Sequence, residues 1–167
     1  MNSGDLAKDF ELPNEKNAKI KLFDCIEAIK SGPLFLIFYK YNCPTCQFTF
    51  PHLARIAKAL GPEYFLAVAQ DTPTEAADFK KKYQFNFEVV CDVHPFPISQ
   101  RYKLDFVPTV FIIEPDLKIS QIAEGFDKKA IENFSSRILA IKNARGQPIS
   151  GFQAFDPSVQ VPLLKPG

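Results

Sequence analysis

Cys43 and Cys46 are separated by Pro44 and Thr45. Two thiols three positions apart support either dithiol–disulfide cycling or metal binding. The neighbouring residues favour the first. Pro44 suits the first position of a helix, where its missing N–H would be unpaired in any case, so the Cys43 sulfur falls at a helix N-terminus. There the macrodipole and the free amides of Thr45 and Cys46 stabilise a thiolate and bring the pKa below its unperturbed value of about 8.5. Cys46 follows one turn later on the same face. Cys43 is therefore expected at the surface as the nucleophile, and Cys46 is expected behind it as the resolving thiol, shielded by its own helix.

A zinc site is the sharper rival, because Cys91 and His94 form a C-x-x-H that with Cys43 and Cys46 makes four plausible ligands. Structural zinc pairs sit on knuckle turns rather than at the start of a long helix, which weighs against it. The remaining reactive side chains have weaker claims. Cys25, beside Ile26 and Ile29, and Cys91, after Val89 and Val90, are expected as packed, inert thiols. His52 and His94 have no evident partners. Lys40 and Tyr41 flank the motif, and an ammonium near Cys43 would further favour its thiolate.

These residues need a scaffold, and the hydrophobic pattern supplies one. Residues Leu6 to Leu22 predict an extended hairpin or arm interrupted at Pro13–Asn14, and Leu22 to Lys30 predicts a short helix ended by Ser31–Gly32–Pro33. Leu34 to Tyr39 is an unbroken apolar run, too short for a helix and suited to a central strand buried on both faces. After Cys43, the spacing of Phe48, Leu53, Ile56, Ala57 and Leu60 predicts a helix up to Gly61–Pro62. Tyr64 to Ala69, Phe87 to Cys91 and Thr109 to Ile113 are strand candidates. Thr72-Pro73-Thr74-Glu75 has the form of a capping box opening a helix through Tyr83, and Ile98 to Tyr102 suggests a short helix. A turn at Pro115–Lys118 returns the chain as Ile119 to Ala123, and Asp127 caps a last helix through Ile141. Strands alternating with helices imply an α/β domain, with a mixed sheet covered on both faces and closed at one edge by the late hairpin. The domain is expected over residues 1–145. Residues 146–167, with Pro148, Pro157, Pro162 and Pro166, are expected as an extended tail without helix or regular strand, either packed on the domain or disordered.

Composition excludes several functions. With 46% hydrophobic and 23% charged residues the chain is expected to fold as a globular domain. The 20 basic and 19 acidic residues are scattered, so neither nucleic acid nor anionic lipid is an expected partner. No apolar run approaches the roughly 20 residues needed to cross a bilayer, and Met1 to Phe10 lacks the features of a secretory signal. A cytoplasmic location is the expectation. No cofactor and no metal are expected.

From about Ala7 to Ala144 the chain resembles the thioredoxin-like redoxins of the alkyl-hydroperoxide-reductase/thiol-specific-antioxidant superfamily, nearest to its TlpA-like thiol-disulfide oxidoreductases. The matching pieces are Tyr41-Asn42-Cys43-Pro44-Thr45-Cys46 with Pro51 five residues on; Val68-Ala69-Gln70-Asp71 and the helix to Tyr83; and Phe106-Val107-Pro108-Thr109-Val110-Phe111-Ile112-Ile113, leading after a turn to Glu124-Gly125-Phe126. The resemblance implies a three-layer thioredoxin-like fold and a Cys43/Cys46 dithiol–disulfide cycle. It implies protein or small-molecule disulfide or dithiol substrates and an external thiol reductant. It also implies a cis-proline at Pro108 facing the cysteines, with Val107, Pro108, Pro44 and Thr45 contacting substrate, and a kink at Pro51. Without it, Pro108 is a strand-entry proline.

Departures from the pattern bear on mechanism. Ile37 stands where thioredoxin has a buried aspartate, Thr49 where several TlpA-like proteins have glutamate, and Asn42 where a tryptophan commonly precedes the first cysteine. The usual proton acceptor for Cys46 is thus missing. Two other functions stay open at this level. One is a peroxiredoxin-like thiol peroxidase, for which Arg55 or Arg101 could supply a guanidinium, although Tyr39 and Cys43 break the P-x-x-x-T-x-x-C pattern. The other is a non-catalytic binding protein on the same fold.

Overall fold

The computed structural model describes residues 1–167. The arm forms a small antiparallel hairpin, β1 (Glu11–Pro13) with β2 (Lys19–Lys21), and runs into α1 (Leu22–Ile29). Isolated bridges from Leu6 to Lys118 and from Asn14 to Val90 fasten this arm to the body. The main sheet comprises β3 (Leu34–Tyr39), β4 (Phe65–Ala69), β5 (Glu88–Cys91), β6 (Thr109–Ile113) and β7 (Ile119–Glu124), in the order β5-β4-β3-β6-β7. Strands β3, β4 and β5 are parallel, while β6 and β7 run antiparallel. The unbroken apolar run of β3 therefore lies at the centre, as a strand buried on both faces must, and the hairpin β6–β7 closes one edge.

The two faces of β3 divide its aromatics. Phe35 meets Phe134 of α5 (Lys128–Ala144), with ring centres 5.1 Å apart. Tyr39 meets Phe50 of α2 (Pro44–Leu60) at 4.5 Å and Phe79 of α3 (Pro73–Tyr83) at 4.6 Å. On the opposite face Phe38 packs at 5.2 Å against Tyr102, which follows the short helix α4 (Pro97–Arg101). Helices on both faces of a mixed sheet, preceded by an extended arm, make the three-layer thioredoxin-like arrangement. Burial of the aromatic side chains supplies most of its cohesion.

Local chemistry sets the element ends. Thr72 accepts the Glu75 amide while the Glu75 side chain accepts the Thr72 amide, completing the capping box at the start of α3. Asp127 accepts the Ala130 amide at 3.0 Å and caps α5. A single 3-10 turn at Pro62–Tyr64 takes the first residue expected for β4. Two elements depart from expectation. Phe126–Asp127 forms a two-residue strand, β8, and the tail supplies its partner, β9 (Leu164–Lys165). The expectation that no regular strand forms after Gly146 is thus corrected: backbone partners 37 and 39 positions away, Asp127 for Leu164 and Phe126 for Lys165, stabilise a segment with no strand signature of its own. The tail is also anchored in the core through Phe155, which is 6% exposed.

Candidate active site

Strand β3 ends at Tyr39 and α2 begins at Pro44, so the redox pair lies at the carboxyl edge of the sheet, on the junction of a central strand and the helix that follows it. Cys43 is the N-cap residue itself. Its Sγ accepts the Cys46 amide at 3.1 Å, the position in which a serine or aspartate oxygen would cap. A sulfur held there meets unpaired helix amides and the positive end of the macrodipole, both of which favour the thiolate. The Cys43 pKa is accordingly lowered to about 6. The hydrogen bond from the Cys46 side chain contributes most, the Cys46 and Thr45 amides add to it, and partial burial opposes them. Burial drives the Cys46 thiol well above its ordinary value, and the hydrogen bond to Cys43 pushes it further. The two thiols are therefore unlike: one is poised as a thiolate and the other holds its proton.

Opposite the motif, the Val107–Pro108 peptide is cis, and the Cys43 thiol donates to Val107 O at 3.3 Å. The carbonyl of Pro108 accepts the Gly125 amide at 2.7 Å, and Thr109 Oγ1 donates to Phe106 O at 2.8 Å, which together hold this loop against the sheet. Pro44 is exposed. Thr45 is buried, and its hydroxyl donates to Pro166 O of the tail at 2.6 Å. The structure thus brings Cys43, Cys46, Val107, Pro108 and Thr45 together. Cys43 is half-buried rather than fully at the surface as expected, because the Val107 loop lies across it.

Neither residue at the positions that carry acids elsewhere can take a proton. Ile37 is core, and Thr49 Oγ1 is spent on Thr45 O at 2.7 Å, the bond a mid-helix threonine commonly makes to the preceding turn. The nearby carboxylate is Asp71, just beyond the end of β4. It is 8% exposed, and its Oδ2 accepts the Tyr41 amide at 2.8 Å. Its negative charge reaches Cys46 and Tyr39. Burial raises the Asp71 pKa, and the Tyr41 amide and Lys40 oppose that rise. The Tyr39 hydroxyl, buried without a hydrogen-bond partner, lies in the same region. In the sequence Asp71 stands out only as the last residue of Val68-Ala69-Gln70-Asp71. Its relation to the cysteines comes from a contact between residues 30 positions apart, and the buried acid that follows a strand end is the only signal it leaves.

The other candidates lie elsewhere. No three His, Cys, Asp or Glu side chains converge as a metal site. His94 is exposed against Phe96, and Cys91 is buried with its thiol pushed up to about 11 by burial. Cys25 is half-buried, its thiol also raised to about 11 by burial, so neither is a ready nucleophile. His52 is wedged among Phe48, Phe126 and Phe155. The Lys40 ammonium lies over the Phe96 ring rather than beside Cys43. Arg101 donates to Asp9 O at 2.9 Å and Arg55 to Ala154 O, so neither guanidinium serves a peroxide site at the cysteines.

Residues 3–122 match the AhpC/TSA family profile. The chain belongs to the AhpC/TSA family. Within that family it is similar to the thiol-disulfide oxidoreductase ResA of Bacillus subtilis, with 27% identity over 128 residues covering 75% of this chain and 69% of the relative. Among solved structures it is similar to a Chlorobium tepidum protein assigned as a thiol:disulfide interchange protein DsbE. That match has a TM-score of 0.70 and 26% identity, and covers 84% of this chain and 97% of the other. The peroxidoxin BcpB of Mycobacterium tuberculosis shares the fold, with a TM-score of 0.68 and 22% identity over 84% of this chain and 98% of its own. This member of the family has no helix long and apolar enough to cross a membrane.

Proposed function

We propose that the chain is a thiol-disulfide oxidoreductase in which Cys43 is the nucleophile, Cys46 the resolving thiol and Asp71 the acceptor of the Cys46 proton. The observation that carries this reading is the Cys43 sulfur serving as the cap of α2 while facing Val107 O. The likeness to ResA and to the DsbE-type structure supports it.

In the reductive direction the Cys43 thiolate attacks one sulfur of a substrate disulfide. A Cys43–substrate disulfide forms, and the other substrate sulfur leaves as a thiolate that takes up a proton. Cys46 then loses its proton toward Asp71 and attacks the Cys43 sulfur. The intramolecular disulfide forms and the second substrate sulfur is released, so two electrons have passed from the protein to the substrate. An external thiol reductant restores the dithiol. A raised carboxyl pKa suits Asp71 to this task, since proton transfer is most effective when donor and acceptor are closely matched. Val107, Pro108, Pro44 and Thr45 frame the approach of the substrate.

Reduction of insulin by dithiothreitol tests the assignment. The protein accelerates precipitation of the insulin B chain and Cys43→Ser removes the acceleration; no acceleration by the unaltered protein refutes the reading. Reaction with hydrogen peroxide far faster than that of free cysteine would instead establish a peroxidase.

A further inference from the structure

The tail passes directly over the redox pair. After the core anchor at Phe155, it turns at Asp156–Val159 and then runs extended along the edge of β8. Lys165 pairs with Phe126 and Leu164 with Asp127, and the Lys128 amide donates to Leu163 O at 2.9 Å. Pro166 O takes the Thr45 hydroxyl, inside the C-x-x-C motif, at 2.6 Å. The close approach demands glycine at two places. A Cβ on Gly125, whose φ is +75°, would lie 2.3 Å from Lys165 O, and one on Gly167 would lie 2.7 Å from Val107 O. Val107 O is the atom to which the Cys43 thiol donates, so the end of the tail lies beside the carbonyl that faces Cys43.

The hold on this segment is made mainly of backbone contacts, joined by the Lys165 ammonium 5.5 Å from the centre of the Phe48 ring. No residue from Pro162 to Gly167 is buried, and Leu163 and Leu164 are 61% and 66% exposed. A strand that adds main-chain hydrogen bonds to one short neighbouring strand without fully burying its side chains has the form of a bound peptide, and it binds weakly enough to leave. Its anchor at Phe155 keeps it close after release, so it rebinds as an intramolecular ligand at high effective concentration.

Building on the oxidoreductase reading, we propose that residues 162–167 are a displaceable internal strand occupying the docking groove for an extended protein disulfide. Protein substrates bind by replacing it on the β8 edge and at Thr45. The groove is formed by β8, Gly125, Thr45 and the Val107 carbonyl. It takes an unfolded or extended polypeptide segment, read mainly through its backbone, and a small molecule has no use for the β8 edge.

Two variants test the proposal: deletion of 162–167, which removes no buried residue, and Gly167→Leu in the full chain, which forces the segment off Val107 O. The first readout is the rate of Cys43 alkylation by a bulky maleimide at pH 8, which needs no redox cycle. The second is the KM for insulin. Alkylation is expected to accelerate at least threefold in both variants and the insulin KM to fall at least threefold, with a smaller fall in the KM for 2-hydroxyethyl disulfide, which makes no use of the β8 edge. Alkylation rates equal to or below that of the full chain overturn the proposal, as does a raised insulin KM. If the deletion melts early, Gly167→Leu carries the test alone. If no form reduces insulin while alkylation still accelerates, the oxidoreductase reading fails and the strand assignment stands.

Discussion

At the scale of single residues, the site works by making two identical thiols different. Cys43 meets the start of α2, and Cys46 is sealed beneath it, 0% exposed. With its pKa near 6, Cys43 should alkylate at a constant rate above about pH 7 and roughly tenfold more slowly at pH 5, following the thiolate fraction. Iodoacetamide kinetics with mass-spectrometric assignment checks this. A pKa depressed on folding contributes stability above the unfolded value of about 8.5 and loses it as pH falls through the folded value. The stability advantage of the reduced protein over Cys43→Ser should therefore shrink between about pH 9 and pH 6 in urea titrations. Asp71→Asn keeps an acceptor for the Tyr41 amide and removes the base. It should slow resolution by about a hundredfold or more, leaving Cys43 alkylation unchanged and allowing a mixed disulfide to accumulate during turnover. The place of Cys43 and Cys46 at the start of α2 was legible in the sequence because capping chemistry is local: cysteine, proline and the helical stripe after them lie within one stretch. Asp71 was not, because its hydrogen bond to Tyr41 and its field at Cys46 exist only once β3 and β4 lie side by side.

At the scale of elements, the site depends on the seating of α2 and α3 against β3. Phe79 is the hub of that seating, with ring centres 4.6 Å from Tyr39, 4.9 Å from Phe50 and 4.5 Å from Tyr83. Phe79→Ala should cost about 3–5 kcal/mol of stability by the removal of a buried ring, measured by urea denaturation. Activity per folded molecule should fall too, because Tyr41 also packs on Phe79 at 5.8 Å and its amide holds Asp71. The strands and helices with strong patterns were readable: β3 from its apolar run, α3 from its capping box, α5 from Asp127 and its stripe. Strands β8 and β9 were not, since two residues carry no periodicity and each is made by the other from a distant part of the chain, Phe126 with Lys165 and Asp127 with Leu164. Placing Cys43 at the surface erred for the same kind of reason, because the loop that half covers it comes from Val107, 64 positions away.

At the scale of the whole molecule, the family profile ends at residue 122, whereas the groove over the cysteines is completed by β8 and the tail that follows α5. The family portion supplies the redox pair, Asp71 and the Val107 loop, and the remainder sets what reaches them. Composition and alternating elements made the α/β class and its central strand legible. The role of the tail was hidden because prolines argue against regular structure and are silent about docking. The claim that unites these scales is that the protein interconverts a single dithiol and disulfide. Its most direct measurement is equilibration of the protein in glutathione buffers of graded potential, followed by thiol alkylation and mass spectrometry. The prediction is one reversible two-electron transition that joins Cys43 to Cys46 and leaves Cys25 and Cys91 as free thiols. The absence of a Cys43–Cys46 disulfide at every potential, or a bond involving Cys25 or Cys91 in its place, would contradict it.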